Sequence, residues 1–197
     1  MKRKKTEKPK DGLVWISLKT TGLDPRNDHI LEVGCIITDR DLVHISPCFQ
    51  AALRQSPDVI SKFAGHCPTS ELAKECEKSP YALENVESAL TQFIVDRVTS
   101  KSCVLAGDNI GEIIPFLREC FPSLFPILHH RIVDVGTLRE LCWRWYPSEY
   151  TKIPKRPPPK RVIQGILDSI DDLRWYRSNI FASSERRIIT LTMPKKP

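Results

Sequence analysis

The residues in this chain with the type and spacing to do chemistry are few. His129 and His130 are adjacent. Neighbours on an extended strand point to opposite faces, so with no acidic or cysteine partner beside them they read as a surface pair before a metal-ligand pair. Seven cysteines, at 35, 48, 67, 76, 103, 120 and 142, form an odd set with no CxxC spacing. Cys35 lies inside the apolar run Val33-Gly34-Cys35-Ile36-Ile37, where a buried thiol is the expected state. That usage favours a reducing compartment and argues against a disulfide framework or a zinc site. Trp143 and Trp145 belong first to a packed helix face and only second to base stacking.

Charge is concentrated at the ends. Residues 1–10 hold six Lys/Arg and one Glu, a net of +5, and Lys195 and Lys196 add +2; against a total of +6, the body from 11 to 194 is near −1. The basic pI therefore reports a tail and not a basic face. Lys2-Arg3-Lys4-Lys5 fits a nuclear-import patch, a nucleic-acid tether or a solvated end. With 197 residues, 41% hydrophobic and 27% charged, the composition is that of a globular domain able to bury a core. No apolar run approaches the roughly 18 residues of a membrane span, and no hydrophobic stretch follows the lysine-rich start, which argues against a transmembrane protein and a secretory signal. Nucleus or cytoplasm is the expected compartment, with the mitochondrion still open.

Three strands are expected first: Leu13 to Leu18, Ile30 to Asp39 and Leu42 to Phe49, joined by short turns as an antiparallel meander. The period then changes. Ser79-Pro80 opens a helix with Leu83, Val86, Leu90, Phe93 and Ile94 on one face. A buried strand over Ser102 to Ala106 precedes a helix over Ile110 to Phe121, and a short strand over Arg131 to Asp134 precedes a helix from Gly136. Residues 153–161, IPKRPPPKR, are excluded from helix and central strand by three consecutive prolines, and form a basic extended connector. A last amphipathic helix follows, marked by Ile163, Ile166, Ile170 and Leu173. The order implies an α/β or α+β sheet with helices packed on it.

The run LVWISLKTTGLDP, followed by DHILEVGCIITD, resembles the start of the oligoribonucleases, 3′-to-5′ exonucleases of the histidine-containing four-carboxylate class. The likeness continues through LAGDNIGEIIPFL and HHRIVDVGTLRELCWRWYPSEY into SIDDLRWYRSNIF. It implies an RNase H-like exonuclease fold, α/β, with a mixed five-stranded sheet flanked by helices. The expected division is a basic tail at 1–11, the exonuclease-like domain at 12–182 and an extension at 183–197. The resemblance also implies a homodimer that degrades very short RNA with two Mg²⁺ or Mn²⁺ ions. Such ions, roughly 3.5–4 Å apart, must be held by several carboxylates, while a histidine takes the proton from the attacking water.

The matching positions carry none of these groups. Ser17 and Lys19 stand where the pattern has Asp and Glu; Ile113, Lys160 and Gly165 stand at the other Asp, the His and the last Asp. At an effective dielectric near 20, unit charges 4 Å apart interact by about 4 kcal/mol, so Lys19 would oppose a divalent ion. Asp108, Glu112 and Asp168 are acidic neighbours, expected to be surface charge. Of the substrate-holding positions, Leu23 and Arg131 survive as an apolar wedge and a strand arginine, or else as a packed turn residue and an ion-paired one. Lys62 replaces a tryptophan, Cys67 the second of a His-His pair whose first member is His66, His130 the aromatic residue contributed across the dimer, and Gly136 a phosphate-binding serine. The expectation is thus a non-enzyme that needs no cofactor: a catalytically inactive, homodimeric pseudo-exonuclease, serving as a protein-interaction module or a non-cleaving RNA-end binder. In that role Leu23, Arg131, His130, Lys19 and Lys160 are the candidate nucleic-acid contacts, the two lysines holding phosphate as point charges. The alternative is a residual metal-dependent 3′-5′ exoribonuclease acting on short oligonucleotides.

Overall fold

Alternation along the first strand decides the architecture. In β1 (Leu13–Thr20), Val14 and Ile16 point into one apolar cluster and Trp15 into another, and all three are buried. A strand covered on both faces reads as a continuous apolar run, which is why no polar residue interrupts 13–16. β2 (Ile30–Thr38) is buried along its whole length and pairs antiparallel with β1. The structure, a computed structural model, describes residues 8–64 and 70–181. The basic run at 2–5, the side chain of Lys62, His66, Cys67 and the extension at 183–197 lie outside those residues.

The sheet runs β3-β2-β1-β4-β5, with β3 (Phe49–Ala52), β4 (Val104–Gly107) and β5 (His129–Asp134). β3 is antiparallel to β2, whereas β1, β4 and β5 are parallel, so the sheet is mixed. Parallel pairing of β1 with β4 requires a crossover. It carries α1 (Pro57–Ala64), α2 (Ser70–Lys78) and α3 (Leu83–Val95). One face of the sheet is covered by α3 and α4 (Ile110–Cys120), through Val86, Leu90, Ile94, Phe116 and Leu117. The other is covered by α5 (Val135–Trp145) and α7 (Val162–Asn179), where Ile166, Ile170 and Tyr176 meet Trp15 and Ile36. A short α6 (Pro147–Tyr150) leads into the connector. The indole of Trp15 donates to Thr38 Oγ1 at 3.0 Å, so the buried ring has its polar atom satisfied.

Four expectations are corrected. The third strand is Phe49–Ala52 and not Leu42 to Phe49. Leu42 has φ 66°, the Asp39 carboxylate accepts from the backbone N–H groups of Asp41 and Val43, and this turn leaves only a single bridge, Thr38 to His44. Ser79 and Pro80 do not open α3. Ser79 Oγ donates to Ala52 O at 2.7 Å and Arg54 donates to both carbonyls, so the pair covers the β3 edge instead. Two helices, α1 and α2, were not foreseen; they form a separate small cluster through Ile60, Leu72 and Leu31. Finally, His129 and His130 do not point to opposite faces, for their rings stack at 4.2 Å. The register shifts between Val104 and Leu105, whose partners are His129 and Ile132, so two residues bulge from β5 and the alternation fails there.

Candidate functional site

The sheet and helices bring Ser17, Lys19, Lys160 and Gly165 to one place. Ser17 lies on β1 and Gly165 in the first turns of α7; a Cβ built on Gly165 would stand 4.0 Å from Ser17 Oγ and 3.3 Å from Pro159 Cγ. Pro159 therefore fills the space into which a longer side chain at 165 would project. Lys19 Nζ donates to Pro159 O at 2.9 Å, which ties the connector to the end of β1. Lys160, the next residue, is exposed.

Ser17 and Gly165 border a cleft of about 420 Å³ whose lining also includes Gly107, Asp108, Arg139, Tyr150 and the connector from Ile153 to Pro159. Its acidic side chains are Asp108, Asp168 and Asp172, and each is neutralised. Arg139 bridges Asp108 and Asp172, at 3.0 Å to each. Arg156 pairs with Asp172 and reaches Asp168 at 3.6 Å. Asp172 is 6% exposed and held between two guanidinium groups. Burial works against the charge on Arg139, yet Asp108 and Asp172 outweigh it and raise that pKa. The network escaped the sequence reading, although Asp168 and Asp172 are four residues apart on one helix face, a spacing that places two carboxylates side by side.

A second buried acid positions the connector's far end. Glu32 is fully buried on β2, and accepts from Arg161 Nε at 2.7 Å, Val162 N at 3.2 Å and Gln50 Nε2 at 2.5 Å. Arg161 also forms a bidentate pair with Glu75, at 2.8 and 2.9 Å. Hydrogen bonding to Glu32 is the main cause that raises the Arg161 pKa further. The connector is thus anchored at Lys19, Arg156 and Arg161.

The other sequence candidates lie elsewhere. Ile113 packs against the α3/α4 core cluster and is not among the residues lining the cleft. Leu23 is 69% exposed, so it does not pack under its turn, which is held instead by Asp28 accepting from Thr21 Oγ1 and Asp24 N. Arg131 is exposed on the β5 bulge and makes no ion pair among the described residues. His130 lines a second cavity with Phe125, Leu128 and Ile132 at the β5 edge. Gly136 admits no larger residue without a shift: a Cβ there would lie 2.7 Å from Asn109 Oδ1 and 2.9 Å from Asp108 Oδ1.

A mixed five-stranded sheet with flanking helices and a cleft at the ends of β1 and β4 defines the class: an RNase H-like exonuclease fold. Solved structures agree. Exonuclease I of E. coli in complex with single-stranded DNA, in its zinc-ion-bound form, has a TM-score of 0.68 at 12% identity, over 86% of this chain and 41% of that one. Exonuclease I of Methylocaldum szegediense gives 0.62 at 17% identity, again over 86% and 41%. This chain thus spans about two fifths of the length of either structure.

The exonuclease family model, RNase_T, matches residues 14–158. The human mitochondrial oligoribonuclease is 35% identical over 173 residues, 86% of this chain and 73% of that protein. The oligoribonuclease of Neisseria meningitidis serogroup B is 34% identical over 182 residues, 90% and 96%. The chain belongs to the oligoribonuclease family of exonucleases.

That membership corrects two expectations. Relatives named oligoribonucleases at 33–35% identity across most of the chain, with an exonuclease model over its core, point to a nuclease, so the reading of the chain as a non-enzyme is overturned. The expectation that no cofactor is needed falls with it, since homologues in this exonuclease family use divalent metal ions. The residues at the matched positions nevertheless do not fit such ions in the family's manner. Ser17, Ile113 and Gly165 carry no charge, Lys19 is cationic and engaged with Pro159, and Asp108, Asp168 and Asp172 are paired with arginines. Among the described residues no group of three or more His, Cys, Asp or Glu is placed to hold a metal.

Proposed function

We propose that this chain engages the 3′ end of short RNA oligonucleotides in the cleft between β1, the connector and α7. The observation that carries the reading is the cleft itself, formed around Ser17 and Gly165 where the oligoribonuclease pattern has its catalytic carboxylates. The names of the relatives support hydrolysis of the bound RNA as a 3′-5′ exoribonuclease, and the cleft is the place where this chain would hold it for that reaction. Leu23, exposed on the loop after β1, serves as the apolar wedge against a base, and Lys160, next to the cleft-lining Pro159, supplies a cation with no ion pair among the described residues. Lys19 spends one of its three N–H donors on Pro159 O and keeps two for a phosphate. Arg131 and His130 lie on the edge strand β5, where His130 would act across a homodimer, as the resemblance implies for the aromatic position, and Arg131 as the strand arginine. RNA is the partner, and the nucleus or cytoplasm is the proposed site of action.

The test uses a 5′-labelled dinucleotide and a pentanucleotide of RNA with the purified chain, in Mg²⁺, in Mn²⁺ and in chelator. Anisotropy reads binding and electrophoresis reads length in the same samples. Saturable binding that weakens with salt is expected, because phosphate contacts release counterions. Shortening from the 3′ end that stops with chelator supports the hydrolytic reading, and intact oligonucleotide in every lane removes it. Failure to bind either oligonucleotide sinks the proposal as a whole.

A further inference from the structure

The connector has a property that its place beside the cleft does not explain. Between Pro154 and Pro159 no residue belongs to a helix, strand or turn, and the chain resumes regular structure at Val162. Exposure over this stretch repeats every three residues: Ile153, Arg156 and Pro159 are half-buried, while Pro154, Lys155, Pro157, Pro158 and Lys160 are exposed. Three residues per turn, with no internal hydrogen bonds, is the period of a polyproline II helix. The half-buried row is the anchored one. Ile153 packs against the Trp15 cluster, Arg156 pairs with Asp168 and Asp172, and Pro159 O accepts from Lys19.

The remaining rows are presented already ordered. Pro154, Pro157 and Lys160 fall on one row, and Lys155 and Pro158 on the next. Prolines three apart with a basic residue at the end are what aromatic-lined grooves with an acidic pocket recognise. Fixing such a ligand before it binds removes most of the ordering entropy that association otherwise opposes.

Charge separates a protein groove from an RNA backbone as the occupant. Of the four cations in 153–161, Arg156 and Arg161 are paired with carboxylates, and only Lys155 and Lys160 make no ion pair among the described residues. Two free charges support a salt slope of only about −1.4 on single-stranded nucleic acid, too shallow for a dedicated RNA track. The exposed prolines, by contrast, have no use in contacting phosphate. We propose that the exposed rows of residues 154–160 form a polyproline II docking ridge for a protein module with an aromatic-lined groove and an acidic specificity pocket, of the SH3 type. Because the same segment forms the rim of the cleft, a module seated there covers its mouth.

The experiment titrates the full-length chain, by calorimetry, against a panel of purified SH3 domains that differ in the acidity of the groove. Saturable binding to acidic-groove members is expected, weakened at least about tenfold, or about 1.4 kcal/mol, by Pro157→Ala with Pro158→Ala. The pair Lys155→Glu with Lys160→Glu leaves every proline in place and is expected to weaken it similarly, with an unchanged melting temperature reporting an intact fold. The proposal is overturned if no domain of the panel binds, if binding survives both double variants, or if the segment binds only single-stranded RNA with a steep salt dependence. Oligonucleotide binding is measured separately, so failure here leaves the cleft reading standing.

Discussion

Asp172 concentrates the electrostatics of the cleft in one side chain. It accepts from Arg139 and Arg156 at once while 6% exposed. Breaking a fully buried pair costs about 3–5 kcal/mol; here both arginines keep solvent contact, so Asp172→Asn is expected to lower stability by about 1–3 kcal/mol. Urea unfolding measures it, and a loss indistinguishable from zero would mean that the network is ornamental to folding. At the sheet edge, partial desolvation first, and then the neighbouring His130 and Arg131, hold the His129 imidazole below its ordinary range. The neutral form is thus favoured in the folded state, the unfolded chain binds more protons, and this residue's contribution to stability falls as pH drops through the ordinary imidazole range. An NMR titration is expected to place the His129 midpoint below that of a free histidine and to move it up in Arg131→Ala; an unmoved midpoint refutes the assignment. What sequence could show at this scale was identity. The types at 17, 19, 113, 160 and 165 were legible from the motif, but Lys19 reaching Pro159 is 140 residues of separation that no local pattern encodes.

At the scale of elements, helix α7 is placed by a close approach to β2 as well as by its apolar face. A Cβ on Gly34 would fall 2.6 Å from Val162 Cγ2 and 3.1 Å from Ile163 Cδ1, so β2 and the start of α7 approach more closely than any side chain at 34 allows. Gly34→Ala is expected to destabilise by about 1–3 kcal/mol through overpacking, and thermal unfolding checks it. Equal stability of the variant would show that α7 can back away freely. Most elements were legible because strands buried on both faces leave continuous apolar runs and helices leave stripes. The strand expected over Leu42 to Phe49 does not form because a left-handed Leu42 and an Asp39-capped turn break the ladder there. The miss at α1 and α2 has a different origin: their apolar residues serve a small side cluster with Leu31, too few to write a clear period. The β5 bulge, likewise, depends on pairing with Val104 and has no sequence signature of its own.

At the scale of the molecule, the near-neutral body and the position of the cleft beside Ser17 set different demands on two ligands. A short RNA must enter beside Asp108, Asp168 and Asp172, whose charges stay masked only while both arginines are in place. Sedimentation across protein concentration tests the proposed homodimer; a single monomeric species at every concentration would leave Arg131 and His130 without a substrate to reach. The late position of α7 in the chain has a consequence for synthesis. α5 supplies part of the cover of Trp15 and Ile36 through Val135 and Cys142, and the cover is completed only when Ile166, Ile170 and Tyr176 arrive. A nascent polypeptide that has emerged only as far as the prolines therefore carries a half-covered apolar sheet face, a surface that chaperones bind. Ribosome-stalled chains ending before 162 are expected to be protease-sensitive and chaperone-associated, and chains that have cleared 179 to be protected, so the last helix acts as the moment at which the newborn molecule becomes safe.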